Sequence, residues 1–134
     1  SAATNVGVGV LLFEGGKSLD LDRAVTKVGI NGALRVMQHL GMRDFSIELE
    51  NSNNEIETET LSESTWIRAR HSGMFRTFVT LGSKVVKGTI LGSISDPFGD
   101  FEKKVISRQN GVIICSNHSP LVHQGDALFH IAIN

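Results

Sequence analysis

The sequence is most informative at first in what it lacks. It lacks an excess of charge of either sign: 13 Lys and Arg stand against 14 Asp and Glu, a net charge of −1. A chain so balanced presents no general attraction for nucleic acid or for an anionic membrane, and neither is expected as a partner. It lacks any apolar run long enough to span a bilayer. The N-terminus, "SAATNVG", has neither the basic start nor the apolar core of a signal peptide. It has no initiator Met, so the chain reads as a processed or excised piece. It has one cysteine, Cys115, which excludes an internal disulfide and fits a reducing, cytoplasmic setting. Cys115 lies in the β-like run "GVIICSN" with no directly adjacent histidine and no basic cluster, and reads as a small buried hydrophobe.

Familiar catalytic signatures are missing too. There is no H-E-x-x-H, no C-x-x-C, no P-loop and no nucleophile elbow. "VGVG" precedes its apolar run instead of following it, the wrong order for a dinucleotide loop. His118 and His123 flank a proline turn, and "HQGD" (123–126) is formally His-x-x-Asp. It crosses a turn glycine, so it is a weak metal signal. His39 sits late in a helical stretch, where a cation suits the helix C-terminus. His130 alternates with apolar residues and reads as packed.

What is present falls into three zones. In the first, "VGVLLF" (8–13) is a continuous apolar run of the kind found in strands covered on both faces. A helix is expected over "KSLDLDRAVTKVGINGALRVMQHLGM", with Asp20 or Asp22 as N-cap and Gly41 just past its end. Val25, Val28, Gly32, Val36 and Leu40 fall near a 3.6 period, with Ala33 and Met37 broadening the stripe. One buried-type strand and one helix do not make a domain, so residues 1–47 read as the last β–α unit of an α/β domain whose other strands are absent. The second zone, 48–65, is acidic and polar. Its stretch 48–64 holds six Glu and no Lys or Arg. It reads as a solvated linker or an edge strand, and the alternating "EIETET" offers a place for strand pairing between copies, hence a homo-oligomer.

The third zone, 66–134, reads as all β. The runs "TWIRA", "MFRTFVT", "TILGSIS", "KKVIS", "GVIIC" and "ALFHIAI" are separated by glycines and turn pairs. "FVTLGSKV" (78–85) and "LVHQGDAL" (121–128) echo one another, each placing Gly-Ser or Gly-Asp between apolar runs. The echo predicts two similar halves packed face to face, a small sandwich or barrel. "DPFGD" predicts a loop tip at Phe98 and Gly99, with Phe98 as a lid contact or an exposed aromatic.

One charged residue stands out. The first apolar run stops at Glu14, in "LLFEGG", against Gly15 and Gly16. Glu14 marks a strand end, or it is a general base at the carboxyl edge of a buried strand, where open α/β sheets place their sites.

The blocks "LLFEGG", "GINGALRVMQHLGM", "TWIRARHSGMFRTFVTLGSKVVKGTILGSISDPFGD" and "VISRQNGVIICSNHSPLVHQGDALFHIA", in that order and spacing, resemble the C-terminal part of the succinylglutamate desuccinylase/aspartoacylase family. These are zinc-dependent, carboxypeptidase-like hydrolases. The resemblance implies an α+β fragment: the end of an α/β zinc-hydrolase domain, then a β barrel-sandwich (biotinyl/lipoyl-like hammerhead) domain covering the active-site mouth. It implies that Glu14 is the catalytic base, passing a proton from a zinc-bound water to the leaving amine of an N-acyl amino acid. The family's zinc ligands lie upstream, so Zn2+ belongs to the parent enzyme, no metal ligand is expected here, and this piece alone is expected to be inactive. Arg68 and His71, in "WIRARH", read as substrate-binding groups facing the cleft or as surface polar residues. The competing reading is a non-enzymatic carrier or oligomerisation module. In carriers a lysine sits at the hairpin tip, but here "SDPFGDFEKK" puts Lys103 and Lys104 after it.

Overall fold

The computed structural model describes residues 5–18, 20–49 and 58–133. The chain divides into two units, Ser1–Glu57 and Thr58–Asn134.

In the first unit, helix α1 spans Arg23–His39. Asp22 is its N-cap, its Oδ1 accepting the amide protons of Ala24 (3.0 Å) and Val25 (3.1 Å), which satisfies two donors that have no intrahelical partner. The helix stops where Gly41 takes φ +70°, a conformation that costs a residue with a side chain but not glycine. A second helix, α2 (Ser46–Leu49), was not anticipated. It begins where the Asp44 carboxylate accepts from both the amide and the hydroxyl of Ser46. Those two bonds, the hydroxyl's first, hold the Asp44 carboxyl below its usual value.

The expected strand at residues 8–13 is not one. The segment joins no ladder, and Leu11 and Leu12 are 83% and 82% exposed. A strand needs a neighbour for its backbone groups, and among the described residues none pairs with it. The helix's expected apolar stripe is likewise uncovered, with Val28, Val36 and Leu40 exposed.

The second unit holds eight strands. They are β1 (Glu63–Arg68), β2 (Gly73–Thr77), β3 (Lys84–Val85), β4 (Ile90–Ser95), β5 (Glu102–Ile106), β6 (Gly111–Ser116), β7 (Leu121–Val122) and β8 (Ala127–Ile133). All six expected runs form strands. The first begins at Glu63, inside what read as linker, while residues 50–57, with the first half of "EIETET", lie outside the described residues. The strands make two antiparallel sheets ordered β1-β8-β6-β3 and β5-β4-β2-β7. One core is shared by both: Phe75, Leu91, Ile94 and Val105 from one sheet, Ile113, Leu128, Phe129 and Ile131 from the other. The Phe75 and Phe129 rings meet edge to face at 5.6 Å, the preferred aromatic geometry.

The sequence echo has a physical basis. Thr80–Ser83 and His123–Asp126 form the same turn. The fourth residue's amide bonds the first carbonyl (3.2 and 3.0 Å), and its side-chain oxygen accepts the first amide proton (3.3 and 2.8 Å). The third residue, Gly82 or Gly125, takes φ +81° or +97°. Val86–Thr89 repeats the device a third time, with Thr89 Oγ1 accepting from Val86 N at 3.1 Å.

Candidate functional site

Glu14 lies in the first unit on a segment held against α1. A Cβ added to Gly29 would sit 2.9 Å from Phe13 Cε1, so the Phe13 ring lies close on the helix at its glycine. A Cβ added to Gly15 would sit 2.7 Å from Val25 Cγ1, one turn earlier. Gly16 then turns the chain away at φ +94°. The residues on either side of Glu14 are thus seated on α1, and Glu14 itself is exposed. Gly15, lacking a side chain, permits a close approach, and what it approaches is the helix.

Arg68 and His71 lie in the second unit and line the same groove, of about 900 Å³, between the edge strands β1 and β5. Arg68 Nη1 donates to the Gly125 carbonyl at 2.9 Å, which ties its guanidinium to the β7–β8 turn. The His71 ring is tilted against Phe101 with centroids 6.2 Å apart. Sequence reasoning missed the groove's other cations: Arg70, Lys103, Lys104 and Arg108. Their signal is weak, because the two walls are distant in sequence and meet only when β1 and β5 end their sheets on the same side.

The remaining candidates are placed as follows. His118 and His123 are both exposed, and the nearby Asp126 carboxylate accepts the His123 amide proton. Among the described residues no three His, Cys, Asp or Glu side chains gather in a way that would hold a metal ion. His130 is half-buried, stacked on Trp66 at 4.1 Å with Nε2 2.8 Å from Ser64 Oγ. Cys115 is exposed, contrary to its reading as a core residue. The cause is a register shift between Ile113 and Cys115. Ile113 pairs with buried Ile131, but Cys115 then pairs with His130, whose side chain lies on the opposite face of β8.

The β4–β5 turn is closed by Asp96, whose Oδ1 accepts from Gly99 N (3.0 Å) and Phe101 N (3.1 Å). The Phe101 amide above all, with those of Phe98 and Gly99, holds the Asp96 carboxyl below its usual value. Phe98 stands at the tip, 87% exposed. Lys103 and Lys104 are inside β5, paired with Ile94 and Ser93, so no lysine occupies the tip position that a carrier uses.

The chain shares its fold with part of the succinylglutamate desuccinylase/aspartoacylase structures. One such protein, from Rhodobacter sphaeroides, matches with a TM-score of 0.70 at 18% identity, over 86% of this chain and 37% of that one. The ectoine utilization protein EutE (DoeB) from Ruegeria pomeroyi matches at 0.67 and 17%, over 86% and 36%. A succinylglutamate desuccinylase from a Silicibacter species matches at 0.67 and 19%, over 85% and 34%. The chain therefore spans little more than a third of the length of these structures. No protein-family model matches the chain, and no curated protein matches it.

Proposed function

We propose that this chain is the C-terminal part of a zinc-dependent hydrolase that removes an acyl group from an N-acyl amino acid. Glu14 is its general base and acid. In this reading Glu14 accepts a proton from the attacking water and delivers it to the departing amine. Residues 1–47 end the α/β catalytic domain, and residues 66–134 form a barrel-sandwich domain over the active-site mouth. Arg68 and His71 meet the carboxylate of the substrate, and the parent enzyme works in the cytoplasm. The zinc of such an enzyme is not accounted for by this chain, whose described residues do not fit a metal site.

The observation that supports the reading is the extent of the shared fold. The second unit is 77 of 134 residues, 57% of the chain, yet the similarity covers 86%. It therefore reaches well into the first unit, which a free-standing β carrier would not possess. An exposed carboxylate between two residues seated on a helix is also suited to proton transfer, since its neighbours fix its backbone and leave its oxygens free.

The test compares this chain with the same chain extended upstream, by zinc content and by hydrolysis of N-acyl amino acids. The long form is expected to hold zinc and to turn over, and Glu14→Gln is expected to lower its kcat by about 10²–10⁴-fold. Full activity of the long form carrying Glu14→Gln would refute the role of Glu14. Turnover by the present chain alone would refute the division of the site.

A further inference from the structure

We infer that the groove between β1 and β5 binds an extended acidic peptide segment of a partner protein, added along the open strand edges. The inference rests on the second unit alone and does not depend on the hydrolase reading.

The groove's walls are two continuous stretches, residues 65–71 and 102–109. Each includes a strand with only one neighbour, so each carries a row of backbone N–H and C=O groups facing out of its sheet. Such edges are where extended peptides add by main-chain pairing. The strand portions of the two walls, Thr65–Arg68 and Glu102–Ile106, run about 13 and 17 Å at ~3.3 Å per residue. The volume of about 900 Å³ lies near the top of the ~300–1,000 Å³ that holds a drug-sized ligand. Both dimensions exceed what an N-acyl amino acid needs, and both suit a short strand.

The lining chemistry selects the side chains of that strand. Arg68, Arg70, Lys103, Lys104 and Arg108 stand against one acid, Glu102, which lies 3.9 Å from Arg76 outside the groove. Among the described residues the side chains of Arg70, Lys103, Lys104 and Arg108 make no hydrogen bond or ion pair. The whole chain carries only −1, so this excess of cations is local to the groove. Cations gathered along a concave, partly apolar surface reinforce one another's field and attract anions. The floor is apolar, formed by half-buried Ile67 with the narrow exposed parts of Ala69 and Val105. A strand alternating acidic and apolar residues satisfies both, with one face toward the floor and one toward the basic rim.

The full chain is titrated, by fluorescence anisotropy, into a labelled octapeptide of alternating Glu and Val. Saturable one-to-one binding is expected, weakened by salt, absent for the Gln–Val analogue, and lost when a central Val becomes Pro. Lys103→Glu with Lys104→Glu should weaken binding by about tenfold or more, since each reversal turns attraction into repulsion. Arg70→Glu, on the opposite wall, should act in the same direction, and it decides the matter if the double variant does not fold by its Trp66 fluorescence. Equal binding of the Gln–Val peptide, or unchanged affinity in both variants, would overturn the inference. So would displacement of the peptide by an equal concentration of succinate, which would make the groove a site for small carboxylates.

Discussion

Replacing Gly111 with Ala tests the closest approach in the β unit. A Cβ at this position would lie 2.1 Å from the carbonyl oxygen of Ala132 and 2.7 Å from Ile131 Cγ2. The oxygen is main chain, on a strand bonded to β1 on one side and β6 on the other, so it has no free direction in which to move. Restoring an ordinary C···O contact of ~3.3 Å requires β8 to retreat by about 1 Å. That displacement lengthens two or three ladder bonds beyond useful range, at about 1 kcal/mol each. It also disturbs Ile131, which is fully buried opposite Ile113. The total comes to roughly 3 kcal/mol. For the 77 residues of the unit, ordinary stabilities run from about 4 to 12 kcal/mol. The chain's single tryptophan, Trp66, sits in β1 opposite His130 of β8 and reports on this sheet. Urea unfolding followed by its fluorescence should show the midpoint falling by roughly 3 M, for a slope of about 1 kcal/mol per M. Gly82→Ala is the control: nothing lies within 4 Å of its added Cβ, but φ is +81°, so strain alone should cost about 1 kcal/mol. If Gly111→Ala lies within experimental error of the parent chain, β6 and β8 do not pack as described.

Other consequences are simpler. Asp22→Ala removes the cap of α1 and should cost that helix about 1 kcal/mol, seen as lower helicity by circular dichroism, whereas Asp22→Asn should retain most of it; equal helicity in all three would refute the cap. Asp96 has its pKa depressed by folding, so its contribution is complete above its ordinary value of 3.8 and is lost as pH falls through the lower folded value. The stability gap between the parent chain and Asp96→Asn should therefore be constant at neutral pH and close below about pH 3.8; a gap that widens on acidification would refute the sign.

The β unit was legible because its signals are local. Each of the six apolar runs is long enough to be a strand, and each turn of the echo is written in a glycine followed by Ser or Asp. Even so, the third copy of that turn, Val86–Thr89, escaped notice, since Thr89 in place of Ser or Asp hides the repeat although its hydroxyl makes the same bond. Cys115 was misplaced for a different reason. Its run reads as an ordinary strand, and a register shift, which reverses the faces beyond it, leaves no mark in apolar periodicity. The basic groove was hidden because its two walls, 65–71 and 102–109, are far apart in the chain, and only the strand order sets β1 and β5 at the same side of the two sheets.

The first unit shows the converse. The run Val8–Phe13 carries every local mark of a buried strand, but burial and pairing are properties of neighbours, and among the described residues this run has no strand neighbour. What survives is the part whose partner lies close by in the chain: Phe13 on Gly29, and Gly15 against Val25. These contacts bracket Glu14. The carboxylate in "LLFEGG" is thus placed by the first of its two glycines and by a phenylalanine, with the second glycine turning the chain away. Apolar residues with no strand partner among the described residues, and a carboxylate whose neighbours are held on α1, are consistent with the proposed reading, in which further chain supplies the rest of the sheet and of the site. The more general the local signal, the less it depended on that missing context. The helix cap and the turns formed as written, while the strand, whose hydrogen bonds must all come from elsewhere, did not.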